Sequence, residues 1–192
     1  MIRFELRRLA IPADIATIHD WVSRDYARYW GMQGLDRAAV QRAYVEIVAP
    51  AHVEALIGVH EGAPAFLAEC YHPAHELELA ARYDARASDR GLHILVGPRP
   101  ARPIPGFTRA AFAAVGDHLF AAPEVERLVV EPDIRNHKIR ALNRAFGFRE
   151  LRPIELPATA TTPVKTAMLS ICTRDDLARA RASTDPRAPR TA

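Results

Sequence analysis

Ile2, Phe4 and Leu6 alternate with Arg3, Glu5 and Arg7, the period-two pattern of a half-buried strand. The period then lengthens. Ile15, Ile18 and Val22 share one helical face behind Asp14, a residue suited to capping a helix start, and Val40, Tyr44 and Ile47 do so behind Asp36. The segment between them, Tyr26-Ala27-Arg28-Tyr29-Trp30-Gly31-Met32, is rich in aromatics and lacks helical spacing. Residues 54–60 and 64–71 predict a hairpin around Glu61-Gly62. A polar stretch through Asp84 and Asp89 follows, then the apolar run 92–96, broken only by His93. A helix opened by Gly106 leads to a second run, Leu128 to Val130, that ends in Glu131-Pro132-Asp133. Ile139, Leu142 and Phe146 mark another helix, residues 148–156 and 164–172 two last strands around a loop at 157–163, and a short helix starts after Thr173.

Two apolar runs joined by a connection long enough for a helical crossover predict a βαβ unit, hence a mixed α/β fold. In open α/β sheets ligands bind beyond the carboxyl ends of parallel strands, which points to residues 97–107 and 132–136. One domain is expected over 1–181. From Ala182 the sequence STDPRAPRTA has almost nothing to bury and is expected to be disordered.

Composition changes this picture little. The 192 residues are 49% hydrophobic and 26% charged, ordinary for a cytoplasmic globular protein, and no apolar stretch approaches the roughly 20 residues of a membrane span. The net charge of +3 has no aromatic-interleaved basic stripe behind it, so neither a nucleic acid nor a membrane is an expected partner. Two cysteines, Cys70 and Cys172, are too few for a disulfide scaffold and read as small buried thiols. His72, His75 and Glu76 form an H-x-x-H-E string, but no further ligand set follows at typical spacing, and no metal is expected.

The order strand, two helices, three strands, helix, strand, helix, two strands resembles the GNAT acyl-coenzyme A N-acyltransferase fold, as does RLVVEPDIRNHKIRALNRAFGF with its asparagine and Gly-Phe ending. More narrowly, AECYHPAH, GLHILVGP, GFTRA, HLFAAP and VEPDIRN, in order between about Phe4 and Arg174, resemble the siderophore-biosynthesis branch, which acylates hydroxylated amines to hydroxamates. AECYHPAH, GFTRA and ALNRAFGF are similar to the desferrioxamine and alcaligin type, whose substrates are N-hydroxycadaverine or N-hydroxyputrescine. The resemblance implies about seven strands and four to five helices, with central parallel strands splayed at the cofactor site. It also implies acetyl-CoA or succinyl-CoA as acyl donor and a small hydroxylated amine as acceptor.

A helix N-terminus offers unpaired N–H groups and partial positive charge, so Gly106, Phe107, Thr108 and Arg109, with the Arg102 side chain, are expected at the pyrophosphate. The loop departs from the family pattern of spaced glycines: Pro103 and Pro105 cannot donate. Asn136 matches the asparagine that contacts the pantetheine arm and also suits a helix cap. Asn143 stands where many members carry a tyrosine acid; an amide can donate a hydrogen bond to sulfur but supplies no proton. A backbone N–H near Leu95 or Val96 is expected to polarise the acyl carbonyl, as in the wider fold.

The resemblance assigns His93 as general base, with Asp133 orienting it or binding the hydroxylamine. The acceptor's remaining ammonium wants a carboxylate or an aromatic face, for which Glu69 and Trp30 are the candidates. Two readings compete: an ordinary amine, aminoglycoside or protein N-acetyltransferase, and a catalytically silent acyl-coenzyme A binding module suggested by the missing tyrosine and the proline-bearing loop.

Overall fold

The computed structural model describes residues 2–98, 102–159 and 163–184. Seven strands form one sheet: β1 (Glu5–Arg8), β2 (Val53–His60), β3 (Ala63–Tyr71), β4 (Asp89–Val96), β5 (Arg127–Val130), β6 (Arg149–Leu156) and β7 (Lys165–Thr173). Their order is β1-β2-β3-β4-β5-β7-β6. Among the described residues six α-helices accompany them: α1 (Ile15–Val22), α2 (Arg37–Ile47), α3 (Leu77–Ala80), α4 (Phe107–Phe120), α5 (His137–Phe146) and α6 (Arg174–Thr184).

Several local expectations are met for the reasons that prompted them. Asp36 caps α2, its carboxylate accepting from Ala39 N at 2.7 Å, a contact of the kind that contributes about 1 kcal/mol. The β2–β3 turn places Glu61 and Gly62 at φ of 50° and 78°, the left-handed region that a two-residue hairpin turn demands. Other expectations shift. The first strand starts at Glu5, although Phe4 and Leu6 still pack on the core. Asp14 precedes α1 without capping it, because its carboxylate is taken by Arg7 and Ala10 N. The polar stretch after β3 contains the short helix α3, and α6 carries residues 182–184 of the expected tail; residues 185–192 lie outside the described part.

Strand alternation sends the two faces of the sheet to different cores. Leu56, Phe66, Ala68, Cys70, Leu92, Leu128, Val130 and Cys172 face α4 and α5, where Phe112, Val115 and Phe146 complete the layer. On the opposite face, Ala55, Ile57, Leu67 and Leu95 pack under α1 and α2, while Tyr71, Val129, Leu169 and Ile171 form a third cluster at the other end. Between these two clusters the same face carries Glu69 and His93, polar residues with apolar neighbours on both sides.

Among the described residues β4 and β5 are the one parallel pair, and they are joined only briefly: Asp89↔Arg127, Arg90↔Leu128 and Gly91↔Val129. The closed end is locked by an ion pair, Arg127 Nε to Asp89 Oδ1 at 2.6 Å, with Asp89 fully buried. Past Gly91, β4 continues to Val96 on β3 alone, so the two strands part and open a cleft in the middle of the sheet.

Candidate active site

His93 and Glu131 each stand two residues beyond the last rung of the parallel ladder, which puts both side chains on one face at the mouth of the cleft. Glu69 is the register partner of His93 across β3 and β4. The consequence is a histidine held between two carboxylates: Nε2 lies 2.7 Å from Glu131 Oε1, and Nδ1 lies 3.3 Å from Glu69 Oε2, a longer and weaker contact. Glu69 continues the network outward, accepting from Tyr44 Oη at 3.0 Å, which accepts in turn from Trp30 Nε1 at 3.0 Å. The Trp30 ring meets the imidazole edge-on, 6.3 Å between centroids. Trp30 and Glu69 therefore gather at His93.

Asp133 does not. Its carboxylate accepts from Arg135 N at 2.8 Å, Arg135 Nε at 2.9 Å and an Arg135 terminal nitrogen at 2.7 Å, which holds it below the usual carboxylate range. Asp133 builds the turn after β5, and its bridge to Ala167 ties that turn to β7. The expectation that Asp133 orients His93 is thus corrected: the carboxylate at the imidazole is Glu131. The alternation of the strand is the signal that finds it, since Leu128 and Val130 face α4 while Val129 and Glu131 face the other way.

Electrostatics follow from this placement. Burial opposes charge on His93, but Glu131, through charge and hydrogen bond, and then Glu69 outweigh it and raise the imidazole to about 10. Burial likewise opposes charge on Glu131, yet His93, Lys165 and Tyr71 bring it down to about 2. The imidazole is itself 39% exposed, so water tempers both the burial cost and the attractions. The direction is an imidazolium paired with the Glu131 carboxylate at neutral pH, with Lys165 Nζ 3.8 Å from the same Glu131 Oε1. That state does not suit a resting general base, the role first expected of His93. Cys70 and Cys172 are buried free thiols, each pushed up to about 12 chiefly by burial, and neither is a nucleophile.

The cofactor-side residues divide. Gly97 N donates to Ala65 O at 2.8 Å, so alternate amides of β4, including that of Leu95, belong to the β3 ladder. The amides of Val96 and Ile94 point instead into the cleft, which corrects the choice between Leu95 and Val96 and adds Ile94. Gly106 precedes α4 at φ 78°; among the described residues nothing beyond its chain neighbours lies within 4 Å of where its Cβ would be, and no side chain caps the helix. Phe107 differs from expectation: its N–H donates to Ile104 O at 3.2 Å and its ring packs on Phe4 and His60. Arg102, Thr108 and Arg109 are exposed beside this helix start. Asn136 caps α5, Oδ1 accepting from Ile139 N at 3.4 Å. Asn143 is 3% exposed, and its Oδ1 has no hydrogen-bond partner among the described residues.

These features fit an acyl-coenzyme A. A helix N-terminus with arginines nearby suits a pyrophosphate, strand amides turned away from the β3 ladder suit an amide-bearing arm, and the buried Asn143 oxygen, unpartnered among the described residues, retains bonding capacity. Among the described residues, no group of three or more His, Cys, Asp or Glu could hold a metal, and no helix is long and apolar enough to cross a membrane.

Comparison with known proteins agrees with this geometry. The chain is 27% identical over 154 residues to the N(6)-hydroxylysine O-acetyltransferase of Escherichia coli, covering 78% of this chain and 48% of that protein, so it spans about half of that relative's length. An uncharacterized protein from Bacillus halodurans superposes with a TM-score of 0.81 at 21% identity, over 92% of this chain and 87% of that one. The aminoglycoside acetyltransferase AAC(6')-Ib, solved with paromomycin and acetyl-CoA, gives 0.76 at 23% identity, over 93% and 97%. A spermidine N-acetyltransferase from Vibrio cholerae, solved with CoA and spermine, gives 0.67 at 13% identity, over 91% and 98%. Residues 10–156 match the sequence profile of the acetyltransferase (GNAT) domain. The chain belongs to the GNAT acetyltransferase domain family.

Proposed function

We propose that this protein is an acyl-CoA-dependent N-acyltransferase whose acceptor is a hydroxylated amine nitrogen, giving a hydroxamate of the kind used in siderophore assembly. The observation that carries this reading is His93 between Glu69 and Glu131. Both ring nitrogens face carboxylates, so the site holds no resting neutral imidazole to strip a proton from an alkylammonium. A hydroxylamine is much less basic than an alkylamine, arrives neutral and needs no such step. Likeness to an N(6)-hydroxylysine acetyltransferase supports the same acceptor class.

The bound thioester supplies the electrophilic carbonyl. Val96 and Ile94 amides serve the donor's carbonyl and pantetheine arm, Asn136 contacts that arm, and Asn143 gives the sulfur a hydrogen bond but no proton. Gly106, Thr108, Arg109 and Arg102 hold the pyrophosphate. As the nitrogen bonds to the carbonyl carbon and the carbon–sulfur bond breaks, the proton leaving nitrogen passes to the Glu69–His93–Glu131 unit. The unit returns that proton to the thiolate side. Trp30 and the outer oxygen of Glu69 receive the far end of the acceptor, an ammonium where the acceptor is N-hydroxycadaverine or N-hydroxyputrescine. Acetyl and succinyl donors are both within this reading.

A second reading, acylation of a plain polyamine or aminoglycoside, draws on the Glu69 and Glu131 carboxyl groups at the site, which suit a polycation, and on the aminoglycoside and spermidine acetyltransferases of like fold. A panel of hydroxylated and unhydroxylated cadaverine, putrescine and lysine, run with acetyl-CoA and succinyl-CoA, separates the two. Preference in kcat/KM for hydroxylated acceptors is expected; equal rates or a preference for plain amines overturns the proposal.

A further inference from the structure

Tyr71 is the register partner of Gly91 across β3 and β4, and Gly91 is the last residue of β4 joined to β5. A Cβ on Gly91 would lie 2.1 Å from Tyr71 Cζ and 2.3 Å from its Cε2, so the phenol ring occupies the space that any side chain at 91 would fill. The backbone there is not left-handed; glycine is required for room. From that seat the buried Tyr71 hydroxyl donates to Glu131 Oε2 at 2.8 Å, and the ring lies 5.2 Å from the imidazole at a tilt of 45°. The other oxygen of the same carboxylate is the one at His93 Nε2. Glu131 is 4% exposed and lies just past the end of β5, where no parallel rung holds its backbone to β4. Lys165 Nζ also holds this residue, donating to Glu131 O at 3.2 Å and lying 3.8 Å from Glu131 Oε1.

We infer that Tyr71 and Gly91 are positioning residues of the acyl-transfer site: the ring seated over Gly91 delivers its hydroxyl to Glu131 Oε2 and so fixes Glu131 Oε1 on His93 Nε2. The phenol can do this throughout the neutral range, because burial, then the Glu131 charge, keep it protonated far above its ordinary value. The arrangement gives the buried carboxylate beside the cleft a single orientation. Without the hydroxyl, one carboxylate oxygen would be left buried and unpaired, and rotation of the group would cost little beyond what is already lost.

The inference rests on the acyl-transfer reading for its kinetic half and on nothing but the resting protein for its spectroscopic half. Tyr71→Phe keeps the ring and removes the hydroxyl. Circular dichroism and thermal melting establish that it folds. Expected is a loss or large shift of the hydrogen-bonded His93 Nε2 proton signal in NMR, with kcat for a hydroxylated diamine lowered about tenfold or more and KM for acetyl-CoA unchanged. Gly91→Ala, which displaces the ring, is expected to do the same. The double variant is expected to be no worse than Gly91→Ala alone, because both changes act through one contact. An unaltered proton signal overturns the inference whatever the rate does, and an altered signal with unaltered kcat overturns it too. Should Tyr71→Phe melt too low to assay, Gly91→Ala carries the same two readouts. If the unaltered protein acylates no amine, the acyl-transfer reading has failed, and the proton signal alone decides whether Tyr71 sets Glu131.

Discussion

His93 Nε2 lies 2.7 Å from Glu131 Oε1, although the two residues are on strands that no longer touch. The side chains bridge a gap that the backbone has opened, from matched positions past Gly91 and Val129. A polar contact here spans the cleft, and the residue before it on each strand faces the apolar layer under α4. The site is therefore a seam between two halves of the sheet, and its chemistry depends on how far they are held apart.

Replacing the carboxylate that touches the imidazole should matter more to turnover than replacing the one that does not. Glu131→Gln is expected to lower kcat by about 10²-fold or more, the scale of a lost proton-transfer partner. Asp133→Asn should act on stability alone, and modestly, because it weakens the turn that Arg135 closes through an ion pair open to solvent on the arginine side. Steady-state kinetics beside thermal melts of both variants give the check; a larger kcat loss in Asp133→Asn would return that residue to the chemistry.

The charge on His93 is open to direct titration. Its value is raised from 6.5 to about 10 in the fold, so the stability it contributes is full below 6.5 and is lost as pH rises toward 10. Glu131 is lowered from 4.5 to about 2, so its contribution is full above 4.5 and is lost as pH falls toward 2. Both are whole between about 4.5 and 6.5, where the pair stabilises most. Imidazole nitrogen NMR should show both ring nitrogens protonated through neutral pH, and titration of His93 near 6.5 would contradict the picture.

At the start of α4 the expected effect is on donor binding alone. Gly106→Ala meets no neighbour, but it places a side chain at φ 78°, a strain of about 1–2 kcal/mol. Relief of that strain would turn the first-turn amides away from a pyrophosphate. KM for acetyl-CoA should rise about tenfold with the acceptor's KM unchanged, measured by varying each substrate in turn.

Much of this was readable in the chain, and the rest was not for a physical reason. Local signals worked where local geometry decides: the Glu61-Gly62 turn, the Asp36 and Asn136 caps, and the βαβ unit around α4. Trp30 and Glu69, which their chemistry names as candidates for the acceptor's ammonium, lie beside His93. The sequence points to Asp133 and not to Glu131, two residues before it, because strand end and turn cannot be told apart without the register Gly91↔Val129, a pairing between residues far apart in sequence. The choice between the Leu95 and Val96 amides likewise depends on which edge of β4 faces β3. The role of Gly91 is fixed by a phenol from another strand.

The closed end of the parallel ladder makes the last prediction, one of stability without chemistry. Asp89 is fully buried and accepts from Arg127 Nε at 2.6 Å, a second Arg127 nitrogen at 2.8 Å, Tyr83 Oη at 3.0 Å and Arg86 N at 3.0 Å. It is also the register partner of Arg127, so the ion pair and the first rung reinforce each other. Asp89→Asn leaves a guanidinium that is only 12% exposed without its counter-charge, which typically costs about 3–5 kcal/mol. Denaturant unfolding should record that loss. Because the pair holds β4 and β5 together at one end while His93 and Glu131 sit at the other, Asp89→Asn should leave KM for acetyl-CoA unchanged at temperatures where the variant stays folded. A large rise in KM with normal stability would mean that the width of the cleft is set at this end.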